Sequence, residues 1–347
     1  MNDDNSPPLS FLQRVYVRNF LRAAGGLCGG VIVALLLYLI GAGLTPLPQE
    51  FVSMTSVFGL PVFMGAATLC LSTPEQQQSL RHRVLAPWGT LLLLYTILTL
   101  ISWETVICLI MLTPVALIGA SAGGLLAGWL LTHWRRRRAR RATLASFIFL
   151  PMLLGTIEPM LLPTRTEFVT VVDRITIAAS PEQVWRTLVH VPDIRDDELQ
   201  SSFSHAIGLP RPRAALMTGE GVGATRDLRW EDGVQFRETV TDWQPGRLLA
   251  YDVDVSPASE ALKRLDPHVV IGDRYFDVLR GHYALAPAPG GATELTLSTT
   301  YRISTRINGY GKLWADNTLH DFHSVVLALL RDRVGAGATP GQLASAR

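Results

Sequence analysis

The stretch 168–185, which reads FVTVVDRITIAASPEQVW, carries the clearest secondary-structure pattern in the second half of this chain. Apolar and polar residues alternate over its first part, and this period of two predicts a β-strand over 168–178. The apolar face of that strand carries Val169, Val171, Ile175 and Ile177. Ser180 followed by Pro181 then predicts the start of a helix, because serine caps helix N-termini and proline fits the first turn. The stretch therefore predicts a strand that leads directly into a helix.

After this stretch, the same alternation predicts five more strands, at about 222–230, 234–243, 247–255, 273–286 and 293–303. A final helix is predicted over about 310–334. Its apolar face is formed by Leu319, Phe322, Val326, Leu329 and Leu330. Residues 191–221 show neither pattern and are interpreted as an irregular stretch. These elements predict an α+β architecture, an antiparallel sheet around one long C-terminal helix.

Two segments of this half resemble a known superfamily. Residues 171–185 are similar to the start of a START-like domain of the SRPBCC (polyketide cyclase/dehydrase and lipid transport) superfamily, with a strand, a Ser-Pro-Glu turn and a helix containing a Val-Trp pair. Residues 236–251, FRETVTDWQPGRLLAY, resemble its strand, proline-containing turn and next strand. The resemblance covers roughly 168–334. It implies a helix-grip fold whose sheet encloses a cavity for lipids, sterols, polyketides or other apolar molecules, in enzymes and in pure binders alike.

One hairpin shows which side chains would line such a cavity. The three-residue loop 231–233 ends in glycine, so Trp230 is expected opposite Val234. Leu228 then faces Phe236, and Arg226 faces Glu238, all on the inward face of the sheet. The alternative for Arg226 and Glu238 is an exposed pair at the sheet edge, worth under ~1 kcal/mol. With the neighbouring strands included, the candidate ligand-binding residues are Arg226, Leu228, Trp230, Phe236, Glu238, Tyr251, Leu297, Thr299 and Tyr301.

In 273–286 neither alternation is clean. The sequence leaves open whether Tyr275 and Tyr283 or Phe276 and His282 face inward. A polar insertion over 256–272 is expected to form a loop near one end of the sheet.

The final helix also carries a polar cluster that suits other chemistry. Asp316, His320 and His323 share a helical face at spacings of four and three, which suits a metal or acid–base chemistry. That face lies about 90° from the apolar stripe, so a solvated polar face is the preferred interpretation. No metal site and no cofactor are expected. The sequence also lacks a nucleophile elbow and any pattern of nucleic-acid readout.

The first half has a different composition. Residues 1–163 hold 11 Arg, no Lys and 6 acidic residues, a net of +5, whereas 164–347 hold 20 Lys and Arg against 23 acidic residues, a net of −3. The whole chain is 48% hydrophobic and only 17% charged, against about 25% charged in soluble proteins. With three Cys in 347 residues, a disulfide scaffold is excluded.

Five apolar runs account for this composition, at 23–46, 51–72, 85–102, 105–132 and 144–162, and Glu158 is their only charged residue. A spanning helix needs about 20 apolar residues, so the pattern predicts an all-α transmembrane bundle of about five helices. Small residues at four-residue spacing, such as Gly119 with Gly123 and Gly124 with Gly128, predict close helix packing.

The Arg residues predict the orientation of this bundle. Arg14, Arg18 and Arg22 precede the first run, Arg81 and Arg83 follow the second, and 135–141 carries six more after the fourth. All 11 then lie on one side of a five-span bundle. That side should be cytoplasmic, because cytoplasmic loops are rich in basic residues, and contact with anionic lipid is expected there.

Together these observations predict a bacterial inner-membrane, multi-pass protein with a cytoplasmic N-terminus. Its domains are a transmembrane module over 1–163, an extracytoplasmic START-like domain over 164–335 and a flexible tail over 336–347. The domain is expected to bind a hydrophobic or amphipathic small molecule, possibly a lipid. The open alternatives are a pocket enzyme of cyclase or hydrolase type and a structural or regulatory membrane protein that binds another protein. The expected partners are membrane lipids and the small molecule, with no nucleic acid, and the oligomeric state is unknown.

Overall fold

A computed structural model of the chain describes residues 53–102, 104–133, 160–256 and 270–337, together with 25, 27–33, 35, 154, 157, 158 and 261. The chain divides into two compact units, Met1–Pro163 and Thr164–Arg347. Each unit is described by itself.

The described part of the first unit is helical. A π-helical turn, Thr55–Gly59, continues into α1 (Leu60–Leu71), and three helices follow: α2 (Pro74–Gln78), α3 (Leu80–Leu100) and α4 (Val106–His133). By length and composition, α3 and α4 could each cross a membrane. The apolar helix Thr55–Leu71 is shorter. At 1.5 Å per residue it spans about 25 Å, less than the ~30 Å hydrocarbon core.

The expectation of about five spanning helices is therefore met only in part, because the described residues contain two helices of that kind. The predicted runs 23–46 and 144–162 lie largely outside the described residues, as do the Arg residues of 1–22 and 134–150.

Glycines set the spacing of the helices in this unit. A Cβ at Gly123 would lie 1.9 Å from the backbone oxygen of Val62, and one at Gly65 would lie 2.0 Å from that of Ala120. The backbones of α1 and α4 are thus in direct contact, an approach that only glycine permits. The predicted role of Gly119, Gly123 and their neighbours in close packing is confirmed.

The second unit contains a seven-stranded antiparallel sheet in the order β1-β7-β6-β5-β4-β3-β2. Its strands are β1 (Arg165–Ile177), β2 (Pro212–Thr218), β3 (Thr225–Trp230), β4 (Gln235–Gln244), β5 (Leu248–Asp254), β6 (Phe276–Ala288) and β7 (Ala292–Thr305). The interpretation of 191–221 as irregular was wrong for β2. This strand has Pro212 at its start and a bulge before Ala214, and these irregularities hide the alternation of an edge strand.

The α-helices of this unit with described bounds are α5 (Pro181–Val189), α6 (Phe203–Ala206) and α7 (Asn308–Gly337). The predicted start of α5 is confirmed, because Ser180 and Gln183 form a capping box. The backbone N–H groups of Phe203 and Ser204 in α6 donate to the Asp321 carboxylate of α7 at 3.2 and 2.8 Å. This capping fixes the short α6 against the long α7.

The helix α7 packs on β1 and β7, and its apolar face joins the core of the unit. Leu327, Leu329 and Leu330 contribute to that core, together with Trp185 and Leu188 of α5. The predicted arrangement of an antiparallel sheet and a long C-terminal helix is confirmed for this unit.

Candidate ligand-binding cavity

A cavity of about 240 Å³ lies between the inward face of the sheet and α7. Most of its lining is apolar. The strands contribute Pro212, Ala214, Ala215, Arg226, Leu228, Trp230, Phe236, Glu238, Tyr251, Val253, Val278, Tyr283, Leu297 and Thr299, and the helix contributes Thr318, Leu319, Phe322, Val326, Leu329 and Leu330. Ser204, His205, Leu209 and Pro210, from α6 and the segment after it, also line the cavity.

The hairpin β3–β4 has the predicted register, with Arg226 opposite Glu238 and Leu228 opposite Phe236. Its loop turns at Asp232 and Gly233, which have φ angles of 55° and 75°. Glycine adopts this left-handed conformation without steric cost. The ring of Trp230 meets that of Phe236 edge-on, with centroids 5.8 Å apart, and lies 5.0 Å from the ring of Phe322 on α7. These aromatic contacts connect the hairpin to the helix at one end of the cavity.

The pair of Arg226 and Glu238 is buried, with 3% and 4% of each residue exposed. Arg226 Nε–H donates to Glu238 Oε2 at 2.6 Å, and Nη1–H donates to the backbone oxygen of Leu188 at 3.2 Å. The guanidinium carbon lies 5.4 and 5.3 Å from the ring centroids of Tyr251 and Tyr283, within cation–π range. A sheet-edge pair in water, the alternative considered from the sequence, is therefore excluded.

Burial and the neighbouring charge act in opposite directions on this pair. Burial raises the pKa of Glu238, and the Arg226 guanidinium opposes that rise. Burial by itself would lower the pKa of Arg226, but the Glu238 carboxylate is the main group that opposes this effect, and the pKa lies above the ordinary value. Burial also raises the pKa of the phenols of Tyr251 and Tyr283, so both are neutral at pH 7.

A glycine on β6 makes room for Tyr251. Tyr251 pairs with Gly281, and a Cβ at Gly281 would lie 2.7 Å from the Tyr251 hydroxyl oxygen. The phenol therefore extends across β6 towards β7. Any larger side chain at position 281 would displace it.

Eight of the nine candidate residues line the cavity, namely Arg226, Leu228, Trp230, Phe236, Glu238, Tyr251, Leu297 and Thr299. Tyr301 does not. It is fully buried beside Val171 and Ile303, and its hydroxyl donates to Asp316 at 2.6 Å. Tyr301 shares the inward face of β7, but it lies beyond the end of the cavity, where Ala315 and Leu319 of α7 close against the sheet.

The structure also explains the mixed alternation of 273–286. A bulge between Val278 and Arg280 shifts the register of β6 against β7 by one residue. Before the bulge Val278 faces the cavity, and after it Tyr283 does. Because the bulge exchanges the inward-facing and outward-facing residues, no single alternation describes the whole strand. The sequence pattern therefore could not identify Tyr283 as a cavity residue.

The interpretation of Asp316, His320 and His323 as a solvated face was wrong for His323, which is 0% exposed. His323 Nδ1 lies 2.7 Å from Asp173 Oδ2, and its Nε2 lies 2.8 Å from Thr299 Oγ1. His320, whose side chain is 51% exposed, shares Asp173 at 2.8 Å. Burial lowers the pKa of His323, although Asp173 partly opposes this. Within the described residues, no three His, Cys, Asp or Glu side chains are grouped to hold a metal ion.

The comparisons with known proteins bear on this unit. Residues 169–335 match the family described as "Polyketide cyclase / dehydrase and lipid transport". The resemblance to the SRPBCC superfamily is confirmed for these residues, and the match includes none of the first unit. No curated protein matches the chain.

Several solved structures are similar to part of the chain. The Zhui aromatase/cyclase from Streptomyces sp. R1128 is 12% identical, and the match covers 50% of this chain and 98% of that one with a TM-score of 0.32. The protein MLL2253 from Mesorhizobium loti is 21% identical over 48% of this chain and 98% of its own, with a TM-score of 0.28. Truncated norcoclaurine synthase from Thalictrum flavum is 14% identical, and the match covers 48% of this chain and 93% of that one with a TM-score of 0.29.

Proposed function

We propose that the second unit binds an apolar or amphipathic small molecule in its cavity. The observation that carries this proposal is a cavity of about 240 Å³ with mainly apolar walls and one buried ion pair, Arg226 with Glu238. An apolar cavity of ~150 Å³ is large enough to bind benzene. The family match supports the proposal, since its description includes lipid transport. A regulatory domain that only binds another protein would have no need of such a cavity.

The lining favours a ligand with two different ends. Trp230, Phe236 and Phe322 offer aromatic surface at one end. Arg226 and Glu238, beside the neutral phenols, offer polar groups that are almost fully buried. Few, well-placed polar groups in an apolar pocket orient a ligand.

The experiment that tests this function is native mass spectrometry of the purified full chain, followed by extraction and identification of any bound compound. The proposal is supported if the extracted compound is apolar and its mass equals the mass added to the protein in the native spectrum. A chain that neither carries a compound nor binds a neutral apolar dye contradicts it.

The substitution Phe236→Ala tests the cavity directly. Because Phe236 borders the cavity, its truncation should cost about 1–2 kcal/mol, less than the ~3–5 kcal/mol of a ring in a closed core. The affinity for the neutral dye N-phenyl-1-naphthylamine should fall. The control is Leu295→Ala, because Leu295 is fully buried in the filled core. It should cost ~2–5 kcal/mol and leave the dye affinity of the folded protein unchanged. Unfolding of the unit by Phe236→Ala, with no dye binding by the wild type, would mean a filled core.

We further propose that the first unit holds this domain at the bacterial inner membrane, with the N-terminus in the cytoplasm and the domain outside it. The position of the 11 Arg residues and the two long apolar helices support this. An alkaline phosphatase fused after residue 347 should be active. If that fusion is inactive and an alkaline phosphatase fused after residue 78 is active, the orientation is the opposite of the one proposed.

A pocket enzyme of cyclase or hydrolase type is the second candidate, favoured by the deep Arg226–Glu238 pair with its shifted pKa values. Incubation of the chain with its extracted compound distinguishes the two. A product formed by the wild type and not by Glu238→Gln supports the enzyme, and an unchanged compound supports the binder.

A further inference from the structure

A chain of hydrogen bonds connects the surface of the second unit to the wall of the cavity. Asp173 on β1 contacts His323 on α7 at 2.7 Å, and His323 contacts Thr299 on β7 at 2.8 Å. His323 is fully buried, whereas Thr299 lines the cavity. Neither Asp173 nor His323 is a lining residue, so Thr299 is the member of the chain that a ligand can reach.

The partners of His323 determine where its proton lies. A carboxylate has only acceptors, so Nδ1, which faces Asp173, carries the proton. Burial lowers the pKa of His323, and the ring is therefore neutral at pH 7. Nε2 is then an acceptor, and the Thr299 hydroxyl must donate its single proton to it. Within this network Thr299 has no proton left for a ligand and offers only the lone pairs of its oxygen.

The position of Thr299 in the sheet places it near the polar end of the cavity. Thr299 pairs with Gly281, and Gly281 pairs with Tyr251 on its other side. The Tyr251 phenol lies across Gly281, in the direction of Thr299. Neighbouring strands are about 4.8 Å apart, so the phenol and Thr299 can face the same polar group of a ligand.

We propose that Thr299 accepts a hydrogen bond from the ligand, and that the ligand is an apolar alcohol or another apolar compound whose polar end is a hydrogen-bond donor. This inference rests on the proposed function and specifies its ligand class. An ether or ester oxygen at this place receives no hydrogen bond from Thr299, because the Thr299 proton is bonded to His323. A site that requires a donor discriminates against the analogue that lacks it.

The test uses two isomers of equal size, 1-octanol and heptyl methyl ether. Each competes with N-phenyl-1-naphthylamine for the full chain in lipid nanodiscs, and empty nanodiscs provide the blank for partitioning into lipid. We expect about tenfold tighter binding of the alcohol at pH 8, the effect of one hydrogen bond. Thr299→Val should remove this preference, measured as the ratio of the affinities of the two isomers against the same dye, whereas Thr299→Ser should keep it.

The pH dependence of the preference for the alcohol is a second test, and it needs no substitution. Among the described residues, the titratable groups that act on His323 are Asp173 on β1 and His320 on α7 itself. When His323 is protonated, Nε2–H donates to Thr299, whose own proton is then free to point into the cavity. The preference for the alcohol should therefore shrink towards equal binding at a pH low enough to protonate His323, while thermal melting shows that the chain is still folded.

The outcomes separate this inference from the proposed function. If the dye binds but both isomers compete equally in the wild type, or if Thr299→Val keeps the preference, the inference fails and the binding function stands. If the dye does not bind the wild type at all, the proposed function fails and the inference fails with it.

Discussion

In the part of the chain that the structure describes, each unit buries one carboxylate, and the two are stabilised in different ways. Glu158 in the first unit accepts hydrogen bonds from the backbone N–H groups of Met54 and Thr55, at 2.6 and 2.7 Å. Glu238 in the second unit is paired with the guanidinium of Arg226. Backbone N–H groups at the start of a helix can stabilise a carboxylate without a positively charged side chain. The pair in the second unit instead places two complementary charges beside a cavity.

The difference indicates what each carboxylate is for. The bonds of Glu158 join a distant part of the chain to the start of a helical segment, which is a structural role. The pair of Arg226 and Glu238 is costly to bury and could be replaced by apolar residues of similar volume at little cost in stability. Its position in the cavity wall is consistent with a role in ligand binding.

The largest expected effect is that of Arg226→Met. It leaves the Glu238 carboxylate buried without its partner, which should destabilise the second unit by about 3–5 kcal/mol. The double variant Arg226→Met with Glu238→Met should recover most of that loss. Hydrogen exchange of β3 and β4 peptides across a urea series measures this. A small loss of stability in Arg226→Met would contradict this, because it would mean that water reaches the Glu238 carboxylate.

A smaller effect is expected in the first unit for Glu158→Gln. The amide keeps one acceptor and loses the charge, so the cost should be about 1–2 kcal/mol. Faster hydrogen exchange of the amides of Met54 and Thr55 is the measurement. Exchange in the second unit is the internal control and should not change. If Glu158→Gln loses as much stability as Arg226→Met, the two carboxylates do not differ in the way proposed.

The smallest effect is the pH dependence contributed by His323. Its pKa is lowered in the folded state, so between that value and the ordinary one, about 6.5, the unfolded chain binds more protons. The stability of the second unit should therefore fall as pH decreases below about 6.5, and this part of the slope should be absent in His323→Gln. Burial also lowers the pKa of His205 and His282, but both remain in the variant and cancel in the difference. Identical slopes would show that His323 does not titrate in this range.

Local patterns in the sequence were sufficient for some of these features. The hairpin 226–238 has a glycine-ended loop and a strict period of two, and the register of Arg226 against Glu238 follows from those alone. The start of α5 follows from Ser180 and Pro181 in the same way. Such features depend on neighbours close in sequence, and no knowledge of packing is required.

Other features depend on which distant elements meet. The sequence determined the hairpin, the start of α5 and the composition of the two halves, because each of these is a local property of the chain. Long-range packing is what turns Tyr283 inward after the bulge in β6, places Tyr301 beyond the cavity, and brings Asp173 of β1 against the side of α7 where His323 lies. A helical wheel places His323 beside the apolar stripe, but it cannot show that a sheet curving around the helix covers that side as well. Burial of His323 is thus a consequence of strand pairing between residues more than a hundred positions apart.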